Sequence, residues 1–456
     1  MEAESPKRNK RKRGEHKPIK FRCDYPSTPL RVLQARGWRQ VDDSSWDLWW
    51  CETGELRLAL EGRSLRPQQR VAHFLSHCEL TRKNYLYRNL KRYKRLLLRA
   101  GKSREAELCD AMPTSFELPS EYRMLVEEYR RAPGTTWIVK PASGSQGRGI
   151  FLFQRLRDLN EWRAKDHSTA AAANNSSETE NSTVSQDTYL VQKYIDNPYL
   201  LEGRKFDLRI YVLVTSFQPL KVWLAREGFA RLSSEQFSLE RIDDSRVHLT
   251  NMSIQLRPNR KCLSSSERRD TEEEKDDAEK SLGLGRKWAL NCLREYLTER
   301  HGARTVNDLF KRIAGIIMAS LQAVQSAIIP LRNSFELYGY DVLLDERLRP
   351  WLLEVNASPS LNATDPADFR LKFDLVDDVL SVLDLERRLT GREQRVGGLD
   401  LLWNDAPVWQ EDDDDADDGR KRRRLNIFLG IKNDRVEQLR ELAAKLTVIG
   451  AREIAL

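Results

Sequence analysis

An α/β (α+β) body of several lobes is predicted by three observations. Between Thr135 and Glu227, β-branched and aromatic runs recur with turn residues between them, a composition that suits a pleated, half-buried surface. Helical segments at roughly 285–299 and 304–328 follow, and two further strand-like runs at 337–344 and 350–356 close the pattern. Polar, low-complexity stretches at 170–186 and 264–280 interrupt this order, so strands and helices fall into groups rather than one continuous repeat.

In chain order, the arm comes first. The 456 residues carry 77 Lys and Arg against 69 Asp and Glu, a net charge of +8. Residues 1–22 hold nine Lys/Arg and three Glu, a local +6 that leaves only +2 for the remainder. A basic arm on a nearly balanced body excludes uniform nucleic-acid-type basicity. KRNKRKR and RKRRR are short and lack interleaved aromatics, so nucleic acid is not an expected partner. No run reaches the ~18 apolar residues of a membrane span and no signal-peptide core is present; a soluble intracellular protein without a membrane is expected. Six cysteines without a CxxC pair predict reduced thiols.

From Cys23 to Met112 the chain is rich in Trp and charge, including WDLWW at 46–50. Leu86, Leu90, Tyr93 and Leu97 recur at helical spacing and predict an amphipathic helix with a Lys/Arg face. That face is either solvated or a dock for an acidic partner. His73, His77 and Cys78 lack a further ligand pair and do not read as a zinc site. Pro119–Ser120 opens a helix through Arg131, with Ser120 as N-cap and Pro133–Gly134 as the stop. The strands follow as TTWIVK, GIFLF, TYLVQKYI, FDLRIYVLVTS and KVWLARE. The acidic run Glu411–Asp418 precedes the basic Arg420–Arg424, and a last helix is expected near 433–446.

Three stretches carry chemistry. With the turn DERLRP centred between Arg347 and Leu348, Asp341 falls opposite Glu354, and Asn356 shares the face of Glu354. Opposed carboxylates repel, and a divalent cation such as Mg²⁺ removes the conflict through hard oxygen ligands; the alternative, a solvated pair on an exposed sheet face, is disfavoured by Tyr340, Leu352, Leu353 and Val355 around it. In WIVKPASGSQGRGIF, Gly144, Gly147 and Gly149 allow close backbone approach, and Lys140 supplies a point charge at a strand end. That suits a nucleoside triphosphate, although the loop is neither a P-loop nor a Rossmann fingerprint, and an ordinary flexible turn is the plainer alternative. Finally, Lys193 points from a strand, and Lys205, Asp207 and Arg209 alternate onto one face, where cations need anions such as phosphates. An edge strand with its charges in water is the plainer alternative.

The stretches WIVKPASGSQGRGIFLF, VQKYIDNPYLLEGRKFDLRIYVLV, HLTNMSIQ and YGYDVLLDERLRPWLLEVNASPSL resemble the successive signatures of the tubulin-tyrosine-ligase-like family, over roughly 70–405. HCELTRKNYLYRNLKRYKR and RLTGREQRVGGLDLLWNDAPV are similar to its polyglutamylase branch. The resemblance implies a multi-lobed ATP-grasp fold: a basic arm at 1–22, an N-terminal subdomain at 23–115, a central one at 116–204 with an insert at 164–187, a C-terminal one at 205–385 with an insert at 262–281, and an extension at 386–456. It further implies an ATP-dependent ligase using two Mg²⁺. Lys140, Gln146 and Gly147 would hold phosphates, with Gln146 also at the acceptor peptide. Gln192, Lys193, Tyr194 and Ile195 would form the adenine-side strand; Lys205, Phe206 and Asp207 would contact ribose and phosphates; Thr250 and Asn251 would complete the nucleotide site. Asp341 and Glu354 would bind one ion, Glu354 and Asn356 the other, and Arg226 and Lys287 the incoming L-glutamate. Arg209 is the candidate for stabilising charge during transfer, with Glu354 as its catalytic companion. The expected partner is tubulin, through its acidic C-terminal tails, in the cytoskeleton of a cilium or flagellum, with the chain a monomer or part of a larger complex. A glycine ligase or a non-catalytic microtubule-binding scaffold are the alternatives.

Overall fold

The computed structural model describes residues 18–60, 65–144, 147–162, 188–255, 287–411 and 423–454. Gln146, the inserts at 164–187 and 262–281 and most of the basic arm lie outside the described residues.

Four short strands, β1 (Lys20–Cys23), β2 (Arg39–Gln40), β3 (Leu48–Trp50) and β4 (Arg70–Ala72), open the fold. Next come β5 (Ser115–Leu118), β6 (Trp137–Pro141), β7 (Phe151–Phe153) and β8 (Tyr189–Lys193). The long strands β10 (Arg204–Phe217) and β11 (Leu220–Leu232) follow the two-residue β9 (Leu200–Leu201), and β12 (Lys287–Ala289), β13 (Ser334–Leu344) and β14 (Pro350–Asn356) come after them. Last are β15 (Arg395–Val396), β16 (Leu399–Asn404), β17 (Trp409–Glu411) and β18 (Arg423–Leu425).

Two sheets position the site. The small one has the order β5-β8-β6-β7; the large one runs β15-β16-β11-β10-β13-β4-β3-β1-β2, with β9, β12 and β14 paired off this path. β13 joins the lobes, because Ser334 and Phe335 pair parallel with β4 while the following residues pair antiparallel with β10 and β14. Every residue of β13 is buried. Both faces of the sheet are covered, which explains its continuous apolar runs. On one face Leu208, Ile210, Val212, Tyr338 and Tyr340 pack under the helices Lys83–Arg99, Leu290–His301 and Ala303–Val324. On the other, Tyr211, Leu213, Trp223 and Leu337 meet the helices Thr28–Ala35 and Pro366–Leu383. The small sheet has its own core of Phe116, Leu125, Trp137 and Phe153.

Several sequence expectations are corrected. The helix expected from about 285 begins at Leu290, because Lys287–Ala289 pairs with β11 as a strand. Ser120 is not an N-cap: its Oγ donates to Glu117 O at 3.2 Å, and the helix starts at Tyr122. The end of the basic arm, Lys20–Arg22, is folded into β1, whose pairing with β2 and β3 satisfies its backbone. Glu411 and Arg423 pair across β17 and β18, so the flanks of the acidic and basic runs form a ribbon. The last helix runs from Arg435 to Ile454. Strand β10 is central rather than an edge, so its charges cannot be satisfied by water. Cys23, Cys51, Cys78, Cys109 and Cys292 are all unpaired.

Candidate active site

A cleft of about 840 Å³, counted to its open mouth, lies between the small sheet and the β10, β11, β13 and β14 part of the large one. Alternation along β10 decides what faces it. Lys205, Asp207 and Arg209 share one face, whereas Phe206 between them turns into the opposite core against Tyr199. The Phe206 side chain therefore does not reach the nucleotide side, contrary to the expectation for it.

Two buried lysines stand at the small-sheet end. Lys140 Nζ donates to Gln192 Oε1 at 2.7 Å, and Gln192 Nε2 donates to Ser115 Oγ. Lys205 Nζ donates to Tyr194 OH at 2.8 Å and to His248 O at 2.9 Å. These partners are neutral. Burial, with Lys83 nearby, pushes the Lys140 ammonium down to about 8, and burial, with Lys140 nearby, pushes Lys205 down to about 7. Lys193 is exposed at the rim, with Gln192, Tyr194 and Ile195 buried beside it. Thr250 and Asn251 line the cleft, and Gly147 (φ +71°) comes so close that a Cβ there would stand 2.5 Å from Ile254 and 3.3 Å from Asn251 Oδ1.

The other end is ionic. Asp341 pairs with Glu354 across β13 and β14, Asn356 pairs with Gly339, and a bulge lies just beyond, between Asp341 and Val342. Arg209 grips Asp341 with two bonds of 2.6 and 3.1 Å, and Arg231 bridges Asp341 at 2.7 Å and Asp207. Burial opposes ionisation of Asp341, yet the two guanidinium groups hold its carboxyl well below the usual range. Lys83 Nζ lies 2.9 Å from Glu354 Oε2. Asn356 Nδ2 lies 3.3 Å from Glu354 Oε1 and 3.5 Å from Asp341 Oδ2. The two carboxylates supply hard oxygen donors, and Asn356, which here turns its Nδ2 to them, adds a third once its amide is flipped to present Oδ1, a set that fits Mg²⁺.

Two expected residues lie elsewhere. Arg226 is locked on Asp400 by bonds of 2.7 and 2.8 Å, both side chains buried; it sits where the β10–β11 register shifts, which turns it towards β16. Lys287 Nζ lies 2.9 Å from Asp368 and donates to Thr364 Oγ1 at 2.7 Å, and buried Lys372 shares the same Asp368 oxygen at 2.8 Å. Sequence reasoning missed Arg231, Lys83 and Lys372. Arg231 is Asp207's cross-strand partner, a pairing that the two bulges of the hairpin conceal from counting outward from its turn.

Buried cations beside opposed carboxylates, in a cleft between two sheets, are an arrangement suited to an enzyme site. Residues 63–390 match the model of the tubulin-tyrosine ligase family, and the chain belongs to that family. It is 44% identical over 447 residues to "Probable tubulin polyglutamylase TTLL9" of Mus musculus, covering 94% of this chain and 93% of that one. It is 39% identical over 400 residues to "Probable tubulin polyglutamylase ttll-9" of Caenorhabditis elegans, 87% and 88% of the two chains. Against "Probable alpha-tubulin polyglutamylase Ttll1" of Tetrahymena thermophila it is 37% identical over 415 residues, 86% and 94%.

Proposed function

We propose that this chain is a tubulin polyglutamylase with an ATP-grasp fold, joining free L-glutamate through its amino group to the side-chain carboxylate of a glutamate in the acidic C-terminal tail of tubulin. The observation that carries this reading is the pairing, within one cleft, of two buried lysines on neutral partners with an acidic hairpin neutralised by two arginines on Asp341 and a lysine on Glu354. A triphosphate supplies the anion those lysines lack.

In the proposed reaction an acceptor carboxylate oxygen attacks the γ-phosphorus of ATP, the bond to the β-phosphate oxygen breaks, and ADP leaves. The amino nitrogen of free glutamate then attacks the acyl carbon of the resulting acyl phosphate, losing a proton and expelling phosphate. Lys140, Lys205 and the Gln146–Gly147 loop hold the phosphates; Gln192–Ile195, Thr250 and Asn251 hold the nucleoside; Phe206 offers only its backbone. Arg209 and Arg231 stabilise charge on the transferring group. Asp341, Glu354 and Asn356 would hold Mg²⁺, two ions in the family's manner, which supplies Lewis-acid neutralisation of phosphate charge. Lys287, with Lys372 beside it, offers the cations for the side-chain carboxylate of the incoming glutamate, which also argues against a glycine ligase. A non-catalytic scaffold would have no use for opposed carboxylates. The reading places the protein on microtubules of a cilium or flagellum, alone or within a larger complex.

The test gives purified protein ATP, Mg²⁺, microtubules and labelled glutamate, glycine or tyrosine in parallel. Glutamate incorporation is expected; incorporation of glycine alone, or of none of the three, overturns the reading.

A further inference from the structure

Lys83 opens the helix Lys83–Arg99. A cation at a helix N-terminus opposes the helix dipole, and this one is also buried, with its side chain 8% exposed. Something else must hold it there. Its ammonium lies 2.9 Å from Glu354 Oε2 on β14 and donates to Gly144 O, in the glycine-rich loop, at 3.3 Å. One group thus ties three separate units that wall the cleft: a helix of the N-terminal lobe, the acidic hairpin of the large sheet and the loop of the small sheet. The helix carries the ammonium, and two of its three donors reach the hairpin and the loop at once.

The two opposed carboxylates are neutralised in different ways. Asp341 takes both of its arginines from β10 and β11, within its own sheet. Glu354 takes its lysine from outside that sheet. The orientation of Glu354 and the seat of the loop consequently depend on where the helix stands, and both would drift if the ammonium were lost.

We propose that Lys83 is a positioning residue of the ligase centre, setting the Glu354 carboxylate and the start of the glycine-rich loop in the geometry that nucleotide binding and phosphoryl transfer require. The inference rests on the ligase reading above. Lys83 acts through Glu354 and Gly144, and its charge is what does so.

The experiment compares the full-length wild type with Lys83→Met, Lys83→Arg and Leu97→Ala, the last a core substitution on the same helix. Glutamate incorporation is read as kcat and KM for ATP, alongside binding of a fluorescent ATP analogue by anisotropy and the thermal midpoint. Lys83→Met is expected to lower kcat about 100-fold, the scale of a misplaced reacting group. It should also weaken analogue binding about tenfold while leaving the midpoint near the wild-type value. Lys83→Arg should recover the binding to within about threefold of wild type because the charge is kept. Leu97→Ala should lower the midpoint and leave KM for ATP unmoved. The inference is overturned if Lys83→Met keeps wild-type kcat and binding, if its losses track the midpoint as those of Leu97→Ala do, or if Lys83→Arg is as impaired as Lys83→Met. A wild type that incorporates no glutamate but binds the analogue through Lys83 sinks the ligase reading instead and leaves the positioning role in place.

Discussion

Lys140 and Lys205 carry a pH dependence whose sign follows from their surroundings. Burial disfavours their charged forms, lowering them to about 8 and about 7, whereas bound phosphates would favour the ammonium. Without ligand, the unfolded chain binds more protons than the folded one between about pH 7 and 10.5, so these groups make stability rise with pH across that window. With a nucleotide the sense reverses. Binding near pH 8 should take up on the order of one proton, and affinity should fall from pH 7 to 9. Calorimetry of ATP-analogue binding in buffers of different ionisation enthalpy reads the uptake directly, and a value of zero in wild type would remove both lysines from the phosphate site. Arg226 and Lys287 separate in the same spirit. Arg226→Met strands a buried Asp400 and should cost about 3–5 kcal/mol in urea unfolding without moving KM for glutamate. Lys287→Met should raise that KM about tenfold; a raised KM in the Arg226 variant and an unmoved one in the Lys287 variant would restore the sequence-based assignment of Arg226. The identities of Lys140, Asp341 and Glu354 as charged groups needing partners were legible from the chain alone. Arg231 and Lys83 were not, because their meaning lies in partners 24 and 271 positions away.

At the scale of elements, periodicity located the strands well because both sheet faces are covered and the runs are continuous. It failed at Lys287–Ala289, where three residues become a strand only by pairing with β11, a tertiary event with no local signature. The helix Lys83–Arg99 shows both sides of this. Leu86, Leu90 and Leu97 are buried, while Lys91, Arg92, Arg95 and Arg99 remain exposed with Leu96 and Leu98 among them. Periodicity fixes the buried stripe but leaves open what the other face meets. An acidic tail is a fitting counterpart, and attraction to it should be screened as ionic strength rises. Microtubule co-sedimentation should weaken several-fold between 50 and 200 mM salt, and the triple variant Lys91→Glu, Arg95→Glu, Arg99→Glu should bind weakly at both, by analogy with other polyanion contacts. Association that is equal at the two salt concentrations in wild type would mean that this face is merely solvated.

Across the whole molecule, the helix Pro366–Leu383 ties the first and last described helices to the catalytic sheet. Arg36, just past the first helix, reaches Asp377 at 2.7 Å and Glu386 at 3.2 Å. Arg435, at the start of the last helix, reaches Asp378 at 2.8 Å, Asp374 at 3.2 Å and also Asp377. Neither link is visible in sequence, since each joins residues more than 50 positions apart across lobes that composition alone separates. The same clamp carries a cost. Asp378 accepts from Gly398 N at 2.8 Å and is so enclosed that a Cβ on Gly397 would collide with it, and burial, opposed by Arg435, pushes its carboxyl up to about 7. A carboxyl raised in this way binds its proton more tightly when folded. It therefore contributes stability that is fully present below the unfolded value near 4 and is lost as pH rises through about 7. Asp377 on the same helix favours the protonated form, and Arg435 and the Gly398 N–H favour the ionised one. Asp378→Asn keeps the shape and removes the titration. Urea unfolding of wild type and variant at pH 5 and pH 8 should show the wild type losing roughly 2 kcal/mol more than the variant over that interval. Parallel profiles would mean that Asp378 is ionised throughout and that Arg435 outweighs its burial, making the clamp insensitive to pH.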